Sequence, residues 1–163
     1  MAHYAIHATF TLERFYPVPA SRVFAAWADP AAKARWFAPD PDTAHELDFR
    51  VGGREVARGT HGARGSTPVM TFESLYRDIL PDERIVYTST MCTADILMTV
   101  SLTTVEFRPA RDGNGGGAPD GTRLLLTEQG TFLDGHEEPR WRQQGTTDQL
   151  TALARELGTP DHG

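Results

Sequence analysis

The chain has 163 residues, 39% of them hydrophobic and 23% charged, which suits one globular core and argues against a disordered segment. Its 16 Lys and Arg against 22 Asp and Glu give a net charge of -6. No stretch gathers the basic residues that a phosphate backbone demands, so nucleic acid is not an expected partner. The single cysteine, Cys92, excludes a disulfide framework and any multi-cysteine metal site.

The start, MAHYAIHATFTLERF, lacks the basic and apolar regions of a signal peptide, and nothing approaches 18 consecutive apolar residues. A cytoplasmic protein without membrane association is expected. Residues 3–15 read as a strand from their β-branched and aromatic content. Then PVPASRVFAAWADP changes period, and Val23, Phe24 and Trp27 share one helical face. Asp29-Pro30 supplies an N-cap and a first-turn proline for a second short helix, PAAKARWF.

From residue 43 the pattern is strand after strand. TAHELDFRV, residues 43–51, alternates Leu47, Phe49 and Val51 against Glu46, Asp48 and Arg50, and Gly52-Gly53 signals a hairpin into REVARGT. GARGSTP is a connection to VMTFESLYRDIL; PDE then turns the chain into RIVYTSTM, followed by ADILMTVSLTTVEF. RPARDGNGGGAPDG reads as a flexible loop and TRLLLTEQGTF as the last strand before a helix over 137–157. Short turn-linked strands pair antiparallel, and one long helix suffices to cover a curved sheet. The predicted class is α+β: one domain over residues 1–163, about seven strands, two short helices after the first, and a long closing helix.

PVPASRVFAAWADPAAKARWF, ELDFRVGGRE, YRDILPDERIVYT, GTRLLLTEQGTFLDG and the closing G…DQLTALAREL, in that order, resemble the START-like (SRPBCC) superfamily of helix-grip folds. More closely they are similar to bacterial proteins related to the C-terminal domain of the activator of the heat shock protein 90 ATPase. The resemblance spans about residues 8–157. It implies a seven-stranded antiparallel sheet around the long helix, with a cavity between them that in many relatives holds a small apolar molecule. It does not fix an activity, because the superfamily includes carriers, receptors, cyclases and co-chaperones. The chaperone-activating relatives also use a separate N-terminal domain, for which this chain leaves no room, so that role is the weakest expectation.

Other chemistries find little support. His3 and His7 on a strand lie roughly 13 Å apart at about 3.3 Å per residue, too far for one metal. GNGGGAPDG is followed by a strand rather than a helix, so it is a hairpin loop and not a phosphate cradle. Cys92 sits beside apolar or small residues between two strands, outside any reactive-thiol motif, and reads as an inert, partly buried thiol. No metal and no cofactor are expected. Glu128 alternates with Leu124 and Leu126, which puts it on their face; if that face is the inner one, desolvation makes it a candidate general acid or base. The alternative is a carboxylate turned to solvent or paired with an arginine. His136, at the cavity mouth, is a candidate partner for Glu128 or a solvated loop residue.

Trp36, Phe37, Tyr76, Tyr87 and Trp141 are candidate lining residues or ordinary core. Along the closing helix, Thr146, Leu150, Leu153 and Leu157 form one stripe, extended toward the N-terminus by Pro139, Arg142 and Gln143. Its leucine half is expected to anchor the core, and Arg142, Thr146 and Gln149 to line the cavity. Gly145 costs about 1 kcal/mol in a helix interior and is expected to permit a close approach by a strand or a ligand. Relatives of this kind often carry Trp after the helix glycine, where Thr146 leaves more room. Three functions are thus carried forward: a module binding a small hydrophobic or aromatic molecule, a cyclase- or hydrolase-like enzyme using Glu128, and a chaperone partner. A homodimer is compatible with each.

Overall fold

The computed structural model describes residues 2–60, 69–111 and 120–159. The elements in chain order are β1 (Ala5–Tyr16), α1 (Ala20–Ala28), α2 (Pro30–Phe37), β2 (Ala44–Leu47), β3 (Arg54–Thr60), β4 (Val69–Leu80), β5 (Arg84–Thr93), β6 (Ile96–Ala110), β7 (Gly121–Leu133) and α3 (Pro139–Glu156). The strands form one antiparallel sheet in the order β1-β7-β6-β5-β4-β3-β2, so the first strand crosses over to pair with the last. This is the expected α+β helix-grip architecture. The connecting segment GARGSTP and most of the glycine-rich GNGGGAPDG lie outside the described residues.

Local chemistry explains the elements. Asp29 caps α2 through its carboxylate, which accepts from the Ala32 N–H at 2.9 Å, and Pro30 follows at the first helical position. Trp27 and Trp36 from the two short helices meet edge to face at 4.8 Å, and the Trp36 indole N–H donates to the Ala26 carbonyl. On the sheet's inner face the period of two brings Ile85, Val105, Phe107, Leu124 and Leu126 together. The leucine half of α3 joins them: Leu150 and Leu153 are fully buried, each contributing about 2 kcal/mol or more. The Tyr16 hydroxyl donates to the Leu150 carbonyl at 2.8 Å, pinning the middle of α3 to β1.

One expected element is shorter than its pattern. The strand predicted through Val51 ends at Leu47, Val51 is exposed, and Phe49 instead packs on Phe24 and Tyr76. The cause is the turn over residues 48–53, where Gly53 N–H donates to Arg50 O and Gly52, at φ +85°, donates to Tyr76 O. A Cβ on Gly53 would collide with the Asp48 carbonyl, so the turn requires glycine there. Bulges leave Arg77 of β4 and Met98 of β6 without a paired residue, and such bulges bend a sheet. No helix among the described residues is long and apolar enough to cross a membrane.

Candidate functional site

The polar half of α3 does not close on the sheet. Between it, α2 and the inner strands lies a hollow of about 710 Å³. Its aromatic walls are Trp27, Trp36 and Phe37 from the short helices, Phe72 from β4 and Tyr87 from β5. Met70, Met91 and Met98 supply adaptable apolar surface between them. Trp141 and His136, both exposed, stand at the α3 side of the opening.

Glu128 comes to this wall by the strand period. It pairs with Phe10 on one side and Thr103 on the other, on the same face as Leu124 and Leu126. Its neighbours there are sparse. Thr103 Oγ1 approaches Oε1 at 3.4 Å, while Oε2 is covered, has no hydrogen bond, and lies 3.6 Å from Arg142 Nη1. Burial pushes the Glu128 carboxyl above the usual carboxylate range; Arg142 pulls it back and Glu137 adds to the rise. Burial, with the charge of Glu128 behind it, also pushes the Tyr87 phenol up, so that hydroxyl stays protonated.

Arg142 is already well satisfied. Nε and Nη2 donate to the two oxygens of Glu137 at 2.7 and 2.9 Å, a bidentate pair. Thr99 Oγ1 gives Glu137 a further donor at 2.8 Å. Desolvation works against the arginine's charge, but the Glu137 hydrogen bonds and the nearby Glu128 outweigh it and hold its proton more tightly. The fork therefore faces a carboxylate of its own chain.

The other sequence candidates fall in distinct places. Thr146 is partly buried on the wall, its hydroxyl returned to the Arg142 carbonyl at 3.0 Å. Gln149, also on the wall, donates to the Phe37 carbonyl at 3.2 Å and ties α3 to the end of α2. Tyr76 is not on the wall: it is buried beneath Phe49 and Tyr87 and its hydroxyl donates to Glu55. His136 is not a partner of Glu128; Arg142 and Thr103 take that place. Gly145 lines the hollow, but a Cβ there would meet nothing within 4 Å; the close approach by a strand that its position suggested does not occur. Asp48 and Arg50 pair with each other in solvent from the turn over residues 48–53, and Cys92 is half-buried.

Sequence reasoning missed two groups. Glu137, in the polar run EEPRWR, carried no periodic signal, because it precedes the helix and finds Thr99 across the fold. Lys33 did carry one, lying three and four residues before Trp36 and Phe37 on one helical face. Its ammonium sits 4.8, 5.3 and 4.5 Å from the centres of Trp27, Trp36 and Phe37, and donates to Glu55 at 3.0 Å. Glu55 also meets His45 Nε2 at 2.7 Å. Burial lowers the Lys33 pKa against the pull of Glu55. For Glu55 burial works upward, but Lys33 and the His45 hydrogen bond prevail and hold the carboxyl below its usual range.

Residues 17–158 match the family model of the activator of Hsp90 ATPase homologue 1-like proteins. The chain belongs to that family. Among solved structures it is similar to a protein of Rhizobium loti, at 43% identity over 94% of this chain and 99% of that one, with a TM-score of 0.81. An uncharacterized protein of Rhizobium leguminosarum is 35% identical over 97% of this chain and 99% of its own, with a TM-score of 0.83. A Chromobacterium violaceum protein is 26% identical over 93% and 99%, with a TM-score of 0.71. A search of curated proteins returns no match.

Proposed function

We propose that this member of the family is a binding module that encloses a small hydrophobic or aromatic molecule between the sheet and the N-terminal half of α3. The observation that carries the reading is the hollow of about 710 Å³, walled by aromatic and methionine side chains and holding a few convergent polar groups. That size and lining are those of small-molecule sites in general. Binding of N-phenyl-1-naphthylamine, a neutral probe that fluoresces in apolar surroundings, tests it. A saturable, one-to-one rise in emission, reduced in Thr146→Trp, is expected; no rise with folded protein would overturn it. Native mass spectrometry of freshly purified protein would identify any occupant carried through purification.

A second reading, a cyclase- or hydrolase-like enzyme, is supported by Glu128: a buried carboxyl of raised proton affinity in an apolar wall is a suitable general acid or base. Glu128→Gln should then abolish turnover of an identified occupant while leaving its binding nearly intact. Unchanged turnover would remove the assignment. Arg142 is the group placed beside the carboxyl, while His136 lines the same hollow near its opening. A chaperone-partner role for this chain rests on the family description alone.

A further inference from the structure

An arginine in an apolar hollow ordinarily suggests a ligand with a carboxylate or phosphate. Here the charge around it points the other way. Arg142 gives Nε and Nη2 to Glu137 and holds Nη1 3.6 Å from Glu128, so a second anion would have to share the guanidinium with two carboxylates already beside it. The described wall carries four carboxylates, Asp40, Glu128, Glu137 and Asp148, against that one arginine. Two of them, Glu128 and Glu137, are buried, so an incoming anion would be desolvated beside like charge, which disfavours it.

The shortage at this site is of donors. Glu128 receives one long contact from a hydroxyl, Thr103 at 3.4 Å, and its other oxygen receives no hydrogen bond, Arg142 Nη1 staying 3.6 Å away. Buried acceptors left in that state carry a penalty that a donor removes. A hydroxyl suits either protonation state of the carboxyl, since it donates to a carboxylate and accepts from a carboxylic acid.

We infer that the hollow selects an apolar, ring-bearing molecule that is uncharged and presents a hydroxyl to Glu128, and that it rejects the same skeleton bearing a carboxylate. The inference rests on the binding-module reading and adds the polar chemistry of its occupant. Aromatic walls provide area without direction; the Glu128 carboxyl provides the one direction in which a neutral hydroxyl gains and an anion loses.

The test is displacement of N-phenyl-1-naphthylamine at pH 7 by naphthalene, 2-naphthol and 2-naphthoate. 2-Naphthol is expected to bind roughly tenfold more tightly than naphthalene, the worth of one hydrogen bond to a buried acidic group. 2-Naphthoate is expected to bind more weakly than naphthalene. In Glu128→Leu the advantage of the naphthol should vanish while naphthalene still binds. In Glu128→Gln/Glu137→Gln, where Arg142 loses both carboxylates, naphthoate should gain at least about tenfold over wild type.

Naphthoate binding wild type as tightly as naphthol, or a naphthol advantage that survives in Glu128→Leu, would overturn the inference and leave the binding module standing. Should the fluorescent probe and all three naphthalenes fail to bind folded wild-type protein, both fall together. If either variant does not fold, the wild-type order of the three compounds decides by itself, with equal affinities for naphthalene and naphthol counting against the hydroxyl.

Discussion

Two buried charge clusters sit within the same helix-grip fold and differ in one respect, whether their partners are complete. Lys33, Glu55 and His45, roofed by Trp27, Trp36 and Phe37, form a closed set in which both Glu55 oxygens are hydrogen-bonded, Oε1 by Lys33 and Tyr76 and Oε2 by His45. Glu128, Arg142 and Glu137 leave one carboxyl nearly bare at the edge of a hollow. Glu55 is consequently held below the ordinary carboxylate range and Glu128 above it, although both are buried. Burial alone therefore does not separate the two; the proposed binding site rests on an incomplete set of partners beside open space.

The comparison can be broken most strongly at the closed cluster. Glu55→Ala strands Lys33 in an apolar shell, and a broken buried pair costs about 3–5 kcal/mol. Urea unfolding should show that loss, and Lys33→Met combined with Glu55→Met should recover most of it, because a matched apolar replacement strands no charge. A single-variant loss below about 1 kcal/mol, within the range of an exposed pair, would mean that this cluster is open as well. Arg142→Met comes next, at about 2–3 kcal/mol, since Glu137 keeps Thr99 when its arginine goes. The same unfolding experiment measures it, and a loss larger than that of Glu55→Ala would reverse the ranking of the two clusters.

The pH dependence sharpens the contrast because the two carboxyls act with opposite sign. The folded pKa of Glu55 is depressed, so its contribution is present above the unfolded carboxylate pKa of about 4.3 and is lost as pH falls. The folded pKa of Glu128 is raised, so its contribution is present below that value and is lost as pH climbs through the folded pKa. Glu128→Gln, which cannot ionise, should therefore gain on wild type as pH rises from the unfolded carboxylate value of about 4.3 through the folded pKa. Thermal melts across that range would show it. A gap that closes with rising pH would mean that Glu128 is not held above its ordinary range.

How much of this was legible in the sequence follows from the distance over which each signal acts. The face that Glu128 shares with Leu124 and Leu126 depends on a period of two within TRLLLTEQG, and the Asp29-Pro30 cap on two adjacent residues; both were readable. The end of β2 at Leu47 was not, because Gly52 and Gly53 hydrogen-bond to Tyr76 on a strand that sequence alone does not place beside them. Glu55 gathers Lys33, His45 and Tyr76 from three other elements, and Glu137 joins Thr99 of β6 to Arg142 of the following helix. Partners so dispersed leave no local pattern. Tyr76 and Tyr87 show the same limit: they are near neighbours on paired strands, yet only Tyr87 reaches the hollow.

The smallest expected effect lies at Gly145, and it tests the boundary between the anchored and open halves of α3. A glycine inside a helix can be required because another chain segment passes too near for a side chain, in which case a methyl group clashes. It can also border empty space, in which case the glycine contributes only its backbone freedom in the unfolded chain. A Cβ at this position would find no atom within 4 Å, which selects the second case. Gly145→Ala should accordingly stabilise the protein by about 0.5–1 kcal/mol in urea unfolding, while N-phenyl-1-naphthylamine affinity changes less than about twofold. Destabilisation would mean that α3 packs closely at this point and that the hollow ends short of it. A large loss of probe affinity from one methyl group would instead put the occupant directly against Gly145, at the turn of the helix that carries Arg142 and Thr146.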